Sequence, residues 1–323
     1  MSCYRKKLFG WSTRLPQILE QEWQHMHLTW TLPGRLRNLL FERQFEPQIM
    51  NHIAARIYQQ LARKYVCKTY DHYWQAGILS TVHSCGNGLN YNPHVHSIVT
   101  RELLHTQTGE LVAPKFLPYT PFRKAWRDAL LRVLVRRKYI SATESRQFKQ
   151  RYPKGFTVHF QPIDNKANPK TLYRTAQYLA SGYFHNSQII KVDHDKMRVT
   201  FRHRKHLNVR TREKRYATVT LPIYEFMSRM LFYLPGQHQK AVRYYGIYAT
   251  NKRKSRASQI SSASTWAAGI ENSFQANPKN CPDCNSLMQA VIFFKYQSYK
   301  LTRRLSQNYS LGPDGYYRPI RGP

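Results

Sequence analysis

Between residues 25 and 32, Met26, Leu28, Trp30 and Leu32 alternate with His25, His27, Thr29 and Thr31. A period of two predicts a strand with one face on a core, and Pro33 and Gly34 mark its end. The stretch PQIMNHIAARIYQQLARKYV carries apolar residues at helical spacing. QAGILSTVHSCGNGLNYNPHVHSIVT then predicts two strands joined by a turn-rich connection. PFRKAWRDALLRVLVRRKYI predicts a long basic helix continuing to about Tyr152, and GFTVHFQP predicts a strand. A helix is expected over 168–181, with Gly182 as a left-handed cap. QIIKVDHDKMRVTFRHR reads as a hairpin turning near His194 and Asp195. The helix LPIYEFMSRMLFYLPG and the basic, aromatic QHQKAVRYYGIYATNKRK follow.

These elements suggest four regions. Residues 1–22 read as the remnant of an N-terminal region and 23–252 as the main domain. Residues 253–272 are rich in Ser and Ala without periodicity, as in a linker, and 273–323 form a tail containing CPDC. No internal repeat of 20–50 residues is visible.

Charge narrows the function. The 323 residues hold 51 Lys and Arg against 17 Asp and Glu, a net +34 spread along the chain. Such a field attracts polyanions, and nucleic acid is the expected partner. A membrane partner is not expected, because no run of about 18 apolar residues and no signal peptide is present. Five cysteines, an odd number, point to a reducing compartment.

Within the second strand of the pair, His94 and His96 point to one face while Val95 faces the other. Two imidazoles so placed can share a divalent ion, but His25 and His27 have the same spacing, so spacing alone does not decide. Phosphodiester cleavage gives a metal something to do: charge on the scissile phosphate must be neutralised and a nucleophile positioned. The 168–181 helix offers Tyr173, Gln177 and Tyr178, with Tyr183 just beyond; Tyr173 and Gln177 share a face at i, i+4. A phenol needs an adjacent cation to act as a nucleophile, and Arg174 is one neighbour. In KAVRYYGIYATNKRK, Arg243, Lys252, Arg253 and Lys254 suit phosphates, while Tyr244 and Tyr245 suit base stacking. Cys281 and Cys284 have the spacing of half a zinc site.

GNGLNYNPHVHSIVT, the tyrosine helix, QIIKVDHDKMRVTFRHR, EFMSRMLFYLPGQHQKAVRYYGIYATNKR and CPDC occur in an order that resembles the two-tyrosine transposases of rolling-circle insertion sequences, members of the His-hydrophobic-His (HUH) nuclease superfamily. The resemblance covers roughly residues 20–290. It implies an α+β fold with a central antiparallel sheet flanked by helices and a basic C-terminal extension. It also implies nicking and rejoining of single-stranded DNA at transposon ends through a 5′-phosphotyrosine, in the bacterial cytoplasm on the nucleoid. Mg²⁺ or Mn²⁺ would be held by His94, His96 and a third polar donor, and Tyr178 matches the first family tyrosine. Four residues after Tyr178 the chain has Gly182, with Tyr183 one place later, so either the helix end is shifted or one tyrosine suffices. Gln177 is the candidate third donor, by analogy with single-tyrosine relatives that carry a glutamine four residues after the nucleophile; that spacing would select Tyr173. The family's N-terminal Cys-rich zinc region would end near Cys3, leaving Cys281 and Cys284 for Zn²⁺. A replication initiator or relaxase, and a non-catalytic DNA-binding remnant, remain as alternatives.

Overall fold

The computed structural model describes residues 10–12, 14–67, 71–164, 168–180, 184–207, 214–233, 240–249, 309–311 and 317–319. The chain forms two compact units, Met1–Ala263 and Ser264–Pro323. In chain order the first contains α1 (Leu15–Ile18), β1 (His25–Trp30), α2 (Gly34–Glu42), α3 (Ile49–Lys64), β2 (Trp74–Gln75), β3 (Gly77–Cys85), β4 (Tyr91–Thr100), β5 (Leu103–His105) and β6 (Leu111–Val112). It continues with α4 (Tyr119–Arg136), α5 (Ala142–Arg151), β7 (Val158–Ile163), α6 (Pro169–Ala180), β8 (Ile189–Asp193), β9 (Arg198–Leu207), β10 (Lys214–Pro222), α7 (Ile223–Phe232) and β11 (Val242–Gly246). In the second unit, β12 (Tyr309–Leu311) pairs antiparallel with β13 (Tyr317–Pro319).

The fold is α+β around a five-stranded antiparallel sheet of order β11-β3-β4-β1-β7. Alternation along the strands gives each face its own core. Leu28, Trp30, Val95 and Val99 join Ile57 of α3 and Phe122, Trp126 and Leu130 of α4. On the other face Leu79, Ile98 and Ile163 meet Leu172, Ala176 and Leu179 of α6. The middle strand β4 is therefore covered on both sides. Burying each of its Val and Ile side chains contributes about 1.5–3 kcal/mol.

β4 tolerates Pro93 because of where it falls. β1 pairs β4 only as far as Trp30↔Val95, and the β3 register shifts between His83↔His94 and Cys85↔Tyr91. Pro93 thus sits where no ladder bond needs its missing N–H. At the other end of the sheet, a Cβ on Gly77 would lie 2.5 Å from the Tyr248 ring. Glycine there lets Tyr248 lie flat on β3, and its hydroxyl reaches His25 Nε2 at 2.8 Å.

Two expectations need correction, and one element was not expected. The single helix to Tyr152 is two helices: Lys138 adopts φ 62° and Ser141 starts α5 with a capping box to Glu144, a cap that stabilises the new helix by about 1 kcal/mol. The helix expected from Leu221 begins at Ile223, because Leu221 and Pro222 complete β10 against β9. Residues 34–42, on which the sequence pattern was silent, form α2 by burying Leu36 and Leu40 at i, i+4. The expected hairpin is β8 and β9, turning at residues 194–197. No helix among the described residues is long and apolar enough to cross a membrane.

Candidate metal centre and tyrosine

The site lies on the sheet face covered by α6. His94 and His96 project from β4, and the hairpin register sets His83 of β3 directly across from His94. One ligand atom from each of the three imidazoles lies within 4.8 Å of the others, so the group could hold a metal ion. His83 and His94 are half-buried and His96 is buried.

The hydrogen bonds at the second nitrogens decide what each ring can do. His94 Nδ1 is 2.6 Å from the Asn92 carbonyl, an acceptor only, so Nδ1 carries the proton and Nε2 the lone pair. His83 Nε2 donates to the Leu179 carbonyl at 3.0 Å, tying β3 to the last turn of α6. His96 Nδ1 lies 2.9 Å from His27 Nε2 and 3.3 Å from Thr29 Oγ1. When His96 donates to His27, its Nε2 becomes an open ligand atom.

All the rings in the cluster are held neutral. Burial lowers the His94 pKa to about 4, and burial followed by the neighbouring imidazoles pushes His96 well below its ordinary value. Burial also lowers His83 and His27. A neutral imidazole is the form that binds a divalent cation, and three nitrogen donors suit a transition-metal ion better than Mg²⁺, which prefers oxygen.

Tyr178 stands over this group. Its ring centroid is 5.9 Å from that of His96 and 6.3 Å from that of His83, yet the residue is 54% exposed. α6 buries Leu172, Ala176 and Leu179 and thereby turns Tyr178 to the edge of the histidine cluster. Gln177 is exposed and makes no hydrogen bond to the three imidazoles among the described residues. Tyr173 packs against the α6 side of the core with its hydroxyl buried, and burial raises its pKa. Arg174 is exposed on the same helix.

His83 is the site residue that sequence reading did not single out. A lone histidine in a strand has no pattern of its own; only the β3-β4 register gives it meaning.

The other candidates are distributed differently. Arg243 is exposed on β11. Tyr244 packs toward the α6 side and accepts a hydrogen bond from Trp11 Nε1, while Tyr245 packs on the opposite face, near His52. Both rings are half-buried. Tyr183, Lys252, Arg253, Lys254, Cys281 and Cys284 lie outside the described residues.

An antiparallel sheet carrying three clustered imidazoles beneath an exposed tyrosine defines an α+β protein with a metal-capable site. The chain belongs to the family described as "Putative transposase", whose profile matches residues 77–256, from β3 through β11. No curated protein and no solved structure matches it.

Proposed function

We propose that the protein is an HUH-type transposase that nicks and rejoins single-stranded DNA at the ends of its element through Tyr178. The observation that carries this reading is the tyrosine ring within 6.3 Å of two of three clustered, neutral histidines. Family membership supports DNA transposition in general; the tyrosine chemistry and the two-tyrosine subfamily are our inference.

His83, His94 and His96 would hold Mg²⁺ or Mn²⁺. Bound there, the ion would supply charge neutralisation for a phosphate. The chain's own residues do the rest. Asn92 and Leu179 carbonyls fix two ring orientations, and His27 and Thr29 brace the third. With Tyr178 exposed, a strand entering from solvent would reach its ring. Its oxygen bonds to phosphorus as the P–O3′ bond breaks; the phenolic proton passes to water, and the leaving 3′ oxygen takes up a proton. The 5′-phosphate stays on the tyrosine, and a second 3′-OH reverses the step without ATP. Arg174 and Arg243 would contact phosphates. In this reading His83 takes the place of Gln177 as the third metal donor, and Tyr183 would be the second nucleophile where a second is used. A zinc half-site at Cys281 and Cys284 and a bacterial, nucleoid-associated setting belong to the same reading.

The test is incubation with Mn²⁺ and single-stranded oligonucleotides carrying the element's ends, followed by denaturing electrophoresis. A covalent protein–DNA band is expected, lost in Tyr178→Phe. An adduct that survives Tyr178→Phe and disappears in Tyr183→Phe would transfer the role to Tyr183. No adduct with wild type would leave a DNA-binding protein without this chemistry.

A further inference from the structure

The helical hairpin α4–α5 covers the sheet face opposite the histidines. Its outer surface is strongly basic: Lys124, Arg132, Arg136, Arg137, Lys138 and Arg146 are all exposed. None has an acidic partner within 4.0 Å among the described residues. The nearby acids are already engaged, Asp128 with Arg127 and Lys149, and Glu144 with Arg43 and the α5 cap. A groove of about 380 Å³ between the helices is lined by Arg132, Arg136, Ser145 and Lys149.

Two further features say which polyanion fits. Arg132 and Arg136 are about 6 Å apart on one i±4 ridge, and Lys124 lies about 12 Å before Arg132, beyond Asp128, whose charge is taken up by Arg127 and Lys149. Phosphates of one B-DNA strand advance about 3.4 Å each along the duplex axis, so every second and every fourth phosphate comes near these spacings. Exposed large apolar side chains are also missing: among the described residues of the hairpin only Tyr119, at the first position of α4, is exposed, and it rests against Phe160. A single-strand surface needs aromatic platforms for bases, and a membrane-binding helix needs an apolar face. This surface offers neither. Exposed aromatics lie elsewhere: Tyr178 beside the histidines, and Tyr216 of β10 beneath Arg202 at 5.9 Å.

We propose that α4–α5 is a docking surface for the phosphate backbone of duplex DNA, separate from the face that meets the single strand. It would hold the double-stranded flank of the element, independently of base sequence. The proposal needs the protein to act on DNA but does not need Tyr178 or a metal, so the two readings fail separately.

The test measures binding of the full chain to a blunt DNA duplex and to a single strand of the same length, across a range of NaCl. The variants are Lys124→Gln/Arg132→Gln/Arg136→Gln and, as a charge-matched control, Lys196→Gln/Arg198→Gln/Arg215→Gln. Thermal melting establishes that both are folded. Each phosphate contact removed lowers the salt slope by about 0.9. The hairpin variant should therefore lose duplex affinity at least about 10-fold with a slope shallower by about 2–3, while single-strand binding stays within about 2-fold. Equal losses on duplex and single strand, equal effects of the control, or no loss at all would each overturn the assignment. So would wild-type binding to phosphatidylserine vesicles tighter than to duplex and lost in the hairpin variant.

Discussion

His25-Met26-His27 and His94-Val95-His96 are the same motif on neighbouring antiparallel strands. The two pairs lie on one sheet face, yet their imidazoles are employed differently. His25 is used up by the protein: Nδ1 faces the Trp23 carbonyl at 2.9 Å and Nε2 the Tyr248 hydroxyl at 2.8 Å, with 1% of the residue exposed. His94 spends one nitrogen on a carbonyl and keeps the other for a ligand. Opposite His25 stand Thr100 and Ile163; opposite His94 stands His83. Spacing puts two rings on one face, and cross-strand neighbours decide whether they become a site.

The strongest way to break this comparison is to delete each member and titrate Mn²⁺ into EDTA-treated protein by calorimetry. His94→Ala and His96→Ala should each weaken binding more than about 100-fold, beyond the usual cost of losing an outer partner. His83→Ala should fall in the same range. His25→Phe should bind as wild type, and equal loss there would erase the distinction drawn between the motifs.

That distinction was only half legible in the sequence. Alternation at residues 25–32 announced β1, because burial of one face leaves a period of two, whereas β4, covered on both faces, carries a near-continuous buried run over 95–100. The register of β3 against β4 left no such trace, and without it His83 was one histidine among 14. His27 looked like a coincidence of spacing until β1 was seen beside β4, where its Nε2 meets His96. The α4–α5 break was readable in principle: Ser141-Ala-Thr-Glu144 is a capping-box signature inside a helical run. Tyr178 emerged from resemblance, and its nearness to the cluster depends on which face α6 buries.

Acid offers a second, smaller test. Burial holds the folded pKa of both His25 and His94 at about 4, against 6.5 for an exposed imidazole. Between those values the unfolded chain takes up protons that the folded chain refuses. Stability is therefore full above about pH 6.5 and is lost as pH falls toward 4, by up to about 3 kcal/mol for each ring. Urea unfolding at pH 7.5 and pH 5 should show this slope, and His25→Phe should flatten it. Added Mn²⁺ should stabilise wild type and His25→Phe alike at pH 7.5. Loss of the Mn²⁺ effect in His25→Phe would mean that both motifs feed the metal.

The finest test concerns His27, which stands between the two motifs. It shares β1 with His25 but touches His96, and their rings stack at 5.0 Å. In the tautomer that leaves Nε2 of His96 open, His27 accepts the His96 Nδ1 proton. His27→Ala should weaken Mn²⁺ binding about 10-fold, the scale of an outer-shell partner. Glutamine in its place can still accept from Nδ1, so His27→Gln should recover most of that loss. A change in side-chain packing alone would not be rescued by an amide. If His27→Ala equals His94→Ala in the titration, His27 is itself a ligand and β1 contributes directly to the centre. If it equals wild type, Thr29 at 3.3 Å suffices to orient the ring.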